Sequence, residues 1–280
     1  MYQLTSEQIA QDIQDLPTLP GLVMDILNNI DQDDVDVREL AEKVSRDLAL
    51  TAKTLRFANS AYYTTMVKVT TIDQAISLLG LHQVRQIIIS AALTGCFPEN
   101  NCPGFSHLQF WRHSNLVAIV ARLLAKHLKF NPVVAGTAGI LHDIGTLVLV
   151  SSHSDAYSEV LRHQEEKQLQ QLFAERHILG TDHAAVGEAL ARAWMFSEEM
   201  THAIAYHHQP ERPGAGFLAT IIHVANGITH AITESASTEI RDADISALSW
   251  QSLGISEAEL QALTNEAADL FVRMESEIDL

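Results

Sequence analysis

Hydrophobic positions along this chain recur with a helical period over long tracts that contain no proline. From Pro20 onward, Leu22, Val23, Ile26, Leu27 and Ile30 fall on one face of a helix that carries proline in its first turn. The prolines cluster at positions 17 and 20, 98 and 103, 132, and 210 and 213, and they punctuate the pattern without entering its interiors. Asp36 with Glu39, Thr71 with Gln74 and Ser256 with Glu259 have capping-box spacing, and Gly80 and Gly95 stand where helices should stop. The β-branched stretch from Val84 to Ser90 lies inside a run of helical spacing, and no alternating strand pattern competes with it. The pattern predicts an all-α protein.

The segment from Cys96 to Gly104 has turn chemistry and separates two halves of different composition. Thirteen of the fourteen histidines follow it. It predicts two packed helical lobes, residues 1–104 and 105–280, joined by a connection too short to act as a tether. A chain of 280 residues with 47% apolar side chains is long enough to bury real cores. Its formal charge of −17 repels polyanions and argues against non-specific nucleic-acid binding. The most apolar stretch, Ala138 to Val150, is interrupted by His142 and Asp143 and falls short of a membrane span, while the first residues lack the basic start and apolar core of a signal peptide. A cytoplasmic location without membrane contact is therefore expected. Cys96 and Cys102 match no zinc or redox spacing and read as free thiols.

Three stretches of the N-terminal half carry a family signature. They are the Leu16-Pro17 and Leu19-Pro20 pair, the segment Arg56-Phe57-Ala58-Asn59-Ser60, and Ile76 through Gly80 leading into Val84-Arg85. This half resembles the HDOD family, a branch of the HD metal-dependent phosphohydrolase superfamily. Leu48 departs from the family, which commonly has proline after the equivalent of Asp47, and the departure is expected to shift a helix start. Asn59 and Ser60 suit helix capping, with ligand contact as the alternative.

The resemblance continues to about residue 230 through an ordered set of polar residues: His113, the doublet His142-Asp143, His183, the pair His207-His208, and Asn226. Imidazole and carboxylate are donors that suit Fe, Mn, Ni or Zn. In the HD fold such residues converge from separate helices, and the resemblance implies a divalent-metal site made of these seven, with Asp143 the candidate for a catalytic role. Any one of these histidines alone would more often be structural. The doublet stands out because a carboxylate inside an apolar run must find a partner. Its two residues lie about 100° apart if the helix runs through them. The other histidines lack motif context and read as surface or packed groups, with His223 set apart by sharing a helix face with Asn226.

Two departures limit what the resemblance implies about activity. HD phosphohydrolases typically place an aspartate where this chain has Asn226, and the HD-GYP phosphodiesterases place a lysine where it has Thr146. The GYP motif itself is absent after His208. The expectation is a bacterial signal-transduction module, regulatory or scaffolding and non-catalytic, working through contacts with signalling proteins. Its core would take a metal or a small ligand such as a nucleotide or another phosphorylated molecule. A metal-dependent phosphohydrolase is the alternative, and a fold that keeps its histidines only as packed groups is the third.

Overall fold

The computed structural model describes residues 2–28, 37–59, 68–97, 99, 101–234, 245 and 247–275, and among these it contains helices and no strand. In chain order the helices are α1 (Ser6–Asp15), α2 (Gly21–Asn28), α3 (Val37–Arg46), α4 (Leu48–Ala58), α5 (Ile72–Leu79), α6 (Leu81–Cys96), α7 (His107–His127) and α8 (Pro132–Leu141). They continue with α9 (Ile144–Ser152), α10 (Ser154–Lys167), α11 (Gln171–Leu179), α12 (His183–Ala193), α13 (Glu198–Tyr206), α14 (Gly216–Glu234), α15 (Ala247–Ser252) and α16 (Glu257–Glu275). The all-α expectation holds.

The chain forms two compact units. One comprises residues 18–96 with 265–280, and the other residues 1–17 with 97–264. The sequence expectation placed residues 1–104 together. In the structure α1 packs instead against α9 and α12 in the second unit. Its neighbours there explain why: Leu4 donates its amide to the Leu179 carbonyl at 2.8 Å, and Asp12 pairs with His153 at 2.7 Å.

In the unit of residues 18–96, α4 packs on α6 and α3 packs on α4 and α5. Val23, Ile26 and Leu27 of α2 are buried, as their spacing requires, while Ile30 and the Asp36 cap lie outside the described residues. The Thr71 side chain caps α5 by accepting from the Gln74 amide, and Gly80 ends that helix with a φ of 85°. Gly95 lies one residue before the end of α6. Leu48 is the first residue of α4, where proline would also fit, and Asp47 caps the helix there by accepting from the Leu50 amide. The Asn59 amide is taken up by backbone, donating to the carbonyls of Leu55 and Val69 and accepting from the Val69 amide. That is the capping role its position suggested; Ser60 lies outside the described residues.

In the histidine-bearing unit, α7 packs on α8 and α14, α12 on α9 and α13, and α13 on α14. The stretch Pro132–Ser152 is apolar enough to cross a membrane by length and composition, but 94% of its apolar window is buried as core. It is two helices, broken at His142 and Asp143, and not the single helix the doublet's spacing assumed. Glycines allow the close approaches here. A Cβ on Gly139 would stand 2.6 Å from Ala118 Cα of α7. One on Gly145 would run into the His183 carbonyl and stand 2.5 Å from the Gly187 amide nitrogen of α12.

Because these obstacles are backbone atoms, Gly145→Ala should force α9 and α12 apart and cost about 1–3 kcal/mol. Gly21→Ala, where the added methyl meets nothing within 4 Å, should cost nothing measurable. Urea denaturation of both variants checks this. Equal midpoints would contradict the account of the α9/α12 contact.

Candidate metal centre

The break between α8 and α9 makes the site. Asp143 stands at the N-cap position of α9, yet its carboxylate makes no capping bond. It faces four histidines instead. His142 Nε2 lies 3.2 Å from Oδ2 and His113 Nε2, from α7, 3.9 Å from the same oxygen. His183 Nε2, at the start of α12, and His207 Nε2, just after α13, each lie 3.3 Å from Oδ1. His208 joins on the far side, its Nε2 2.9 Å from that of His183.

Two donor groups result, and they share one carboxylate. Asp143, His183, His207 and His208 offer donor atoms all within 4.8 Å of one another, and so do His113, His142 and Asp143. Asn226, on α14, is buried and lines the same cavity as His113 and Asp143. The structure thus brings together the seven residues singled out in the sequence. His207 is fully buried and completes the first group. A cation fits this donor set. His142 Nε2, Asp143 Oδ1 and Asn226 Oδ1 are buried and make no well-aligned hydrogen bond, although imidazole nitrogens stand close to the carboxylate, an arrangement that burial penalises unless something else binds there.

Three of the inward rings are held from behind. His142 Nδ1 lies 2.8 Å from the Gly139 carbonyl and His207 Nδ1 2.8 Å from the Ile204 carbonyl, so both rings can donate backward and present Nε2 to the site. His183 leans on the fully buried Glu175 of α11. Glu175 Oε2 lies 2.7 Å from His183 Nδ1 and accepts from the His183 amide at 2.8 Å. Its other oxygen accepts from Tyr157 Oη at 2.8 Å and Gln171 Nε2 at 2.9 Å, and Gln171 also reaches Thr146 Oγ1 at 3.2 Å.

The electrostatics differ from ring to ring. Burial pushes His113 down to about 3 and His207 to about 4, with neighbouring imidazoles adding to the effect, and His208 is also held well below its usual value by burial. Burial opposes charge on His183 too, but Glu175 and Asp143 on either side raise it to about 9. Burial works against ionisation of Asp143, yet His142 and His183 keep its carboxyl well below the ordinary range. Burial and then Glu175 raise Tyr157 well above its usual value, so its hydroxyl is a donor.

A cavity of about 560 Å³ opens onto the cluster. Phe105, Phe110 and Tyr157 form its aromatic part, and Gln109, Gln164, Gln170 and Gln171 its amide part. Among the described residues no lysine or arginine lines it. His223 and His230 also line it. His223 Nδ1 lies 2.7 Å from the His207 carbonyl, and the His230 ring lies 5.0 Å from that of His113. With Asn226 these two stand at intervals of three and four on α14, a one-face spacing that the sequence reading used for His223 but not for His230. Glu175, Tyr157 and Gln171 carried no motif and were missed. Of the other histidines read as surface or packed groups, His163 stacks on His177, His127 faces Glu259, and His202 faces Glu198.

An all-helical unit with a shared aspartate between histidine groups, the doublet at a helix break, defines an HD-type domain. The chain belongs to the HDOD family, whose domain model matches residues 16–210. The HDOD domain protein of unknown function from Geobacter sulfurreducens superposes with a TM-score of 0.79 at 26% identity, over 99% of this chain and 100% of that one. A Shewanella amazonensis protein assigned provisionally as a phosphohydrolase superposes at 0.73 with 28% identity, over 96% and 97% of the two chains. A ribonuclease Y from Syntrophotalea carbinolica is 29% identical over 159 residues, which are 57% of this chain and 24% of that protein. The chain spans less than half the length of the curated relatives it matches.

The raised His183 sets a pH dependence. Its folded value near 9 exceeds the 6.5 of an unperturbed histidine, so its stabilisation of the metal-free protein is full below pH 6.5 and is lost as pH rises through 9. The proton concerned sits on a nitrogen that a cation would need. Affinity for Mn²⁺ or Zn²⁺ should therefore climb between pH 6.5 and 9 and binding should release a proton, whereas the already neutral His113 and His207 add no such dependence. Calorimetry in buffers of different ionisation enthalpy measures both, and a flat affinity across that window would contradict the assignment.

Proposed function

We propose that this protein is a bacterial signal-transduction module of the HDOD type whose HD core holds a divalent cation, Fe, Mn, Ni or Zn, and binds a small ligand without turning it over. The carrying observation is the pair of donor groups on Asp143 below a cavity whose described walls bear no fixed cation. In that cavity a metal would supply the positive charge available to a phosphoryl or carboxylate group, with His183, His207, His208 and Asp143 holding it. The second group, His113, His142 and Asp143, has the neutral Asn226 beside it and would hold an ion less tightly. Thr146 is buried and accepts from Gln171, so no ammonium group stands at its position to face a phosphate.

Hydrolysis of a phosphoryl group needs an activated water and positive charge to neutralise the developing oxygens. Asn226 weakens the first and Thr146 the second, and losing one such element typically costs about a hundredfold in rate. Output then passes through contacts with signalling proteins in the cytoplasm, and the ligand is a nucleotide or another small phosphorylated molecule. The alternative, a metal-dependent phosphohydrolase, is supported by the access of the cavity to both donor groups and by the likeness to the Shewanella protein.

Tag-free protein reconstituted with Mn²⁺, Fe²⁺ or Ni²⁺ should show little or no turnover of nucleotides, cyclic dinucleotides or phosphomonoesters. Robust turnover that disappears in Asp143→Ala would replace this reading with the phosphohydrolase. Asn226→Asp combined with Thr146→Lys should raise whatever rate is present if only the charges are missing.

A further inference from the structure

His142 and His207 each follow the C-terminal end of a helix, and each ring nitrogen facing away from the site meets the carbonyl three residues earlier. Such carbonyls are free at helix C-termini. His183 occupies the opposite situation. It is the first residue of α12, where the surplus backbone groups are amides and no helical carbonyl is available behind the ring. An imidazole placed there needs an acceptor from another helix, and Glu175 provides it. The carboxylate also takes up the His183 amide, so one oxygen fixes both the backbone and the ring of the same residue.

We propose that Glu175 is the positioning residue of the metal centre: its carboxylate locks the His183 ring with Nδ1 bonded outward and Nε2 presented to the Asp143, His207 and His208 group. Tyr157 and Gln171, donating to the other carboxylate oxygen, hold Glu175 in that pose. This rests on the reading of the cluster as a cation site. The carboxylate also brings a second negative charge toward a centre in which Asn226 contributes none, and it faces the positive end of α12. A carboxylate behind a ligand imidazole raises its basicity beyond what a backbone carbonyl does, and losing such a partner typically lowers metal affinity about 10–100-fold. His183 is thereby a stronger donor than the carbonyl-backed His142 and His207, and the cavity-lining Tyr157 and Gln171 connect any occupant of the cavity to it.

The test uses the full chain and two measurements. Calorimetric titration with Mn²⁺ and with Zn²⁺ should show Glu175→Gln binding about 10–100-fold more weakly than wild type. Proton NMR of the metal-free protein should show a downfield, slowly exchanging His183 Nδ1–H resonance in wild type that is lost or moves upfield in the variant. Tyr157→Phe keeps the carboxylate and removes one of its supports. It should shift the same resonance and weaken the metal by a smaller factor, and it stands in if Glu175→Gln does not fold. Wild-type affinity together with an unmoved resonance in either variant would overturn the proposal. If wild type binds neither metal while the resonance still responds to Glu175→Gln, the cation reading fails and the positioning of His183 by Glu175 stands.

Discussion

Burying one carboxylate among five imidazoles is the constraint from which the rest of the histidine-bearing unit follows. A charge removed from water must be met by opposite charge or by donors, and leaving it unmet would cost several kcal/mol. Asp143 is met by rings that arrive from four directions: α7, the α8/α9 break, the start of α12 and the turn after α13. That convergence requires α9 to approach α12 at backbone distance, which Gly145 and Gly187 permit, and α8 to approach α7, which Gly139 permits. It also requires the apolar stretch to break at the doublet. Had the helix run through His142 and Asp143 unbroken, the carboxylate would not stand at the head of α9, free of any cap.

Around this hub the chain balances charge with few resources. Burial keeps His113 and His207 neutral, ready to act as donors of an electron pair, while the flanking carboxylates hold a proton on His183. In the metal-free protein that proton supplies the positive charge Asp143 needs, and a cation would take its place. Among the described residues the polarity of the site therefore comes from exchangeable charge and not from lysine or arginine. Amide and aromatic side chains line the cavity above it.

Much of this was legible in the amino-acid order. Helical spacing and caps such as Thr71 and Ser256 are local features, set within one turn, and the structure has them. The histidine set was visible because HD motifs are ordered in sequence even where their residues come from different helices. The network behind His183 was not visible. Glu175, Tyr157 and Gln171 lie on two helices, and nothing in their spacing distinguishes them from surface residues until α10 and α11 pack together. The placement of α1 was hidden for the same reason, since its partners His153 and Leu179 are more than a hundred residues away in the chain. The break at the doublet escaped because an apolar run has the same composition whether it is one helix or two.

Anomalous diffraction from crystals soaked in Mn²⁺ tests the central claim most directly. The account predicts a peak among Asp143, His183, His207 and His208, lost in Asp143→Ala, with weaker or no density beside His113 and His142. No peak at the cluster, or density unchanged in Asp143→Ala, would contradict it and leave the histidines as packed polar groups.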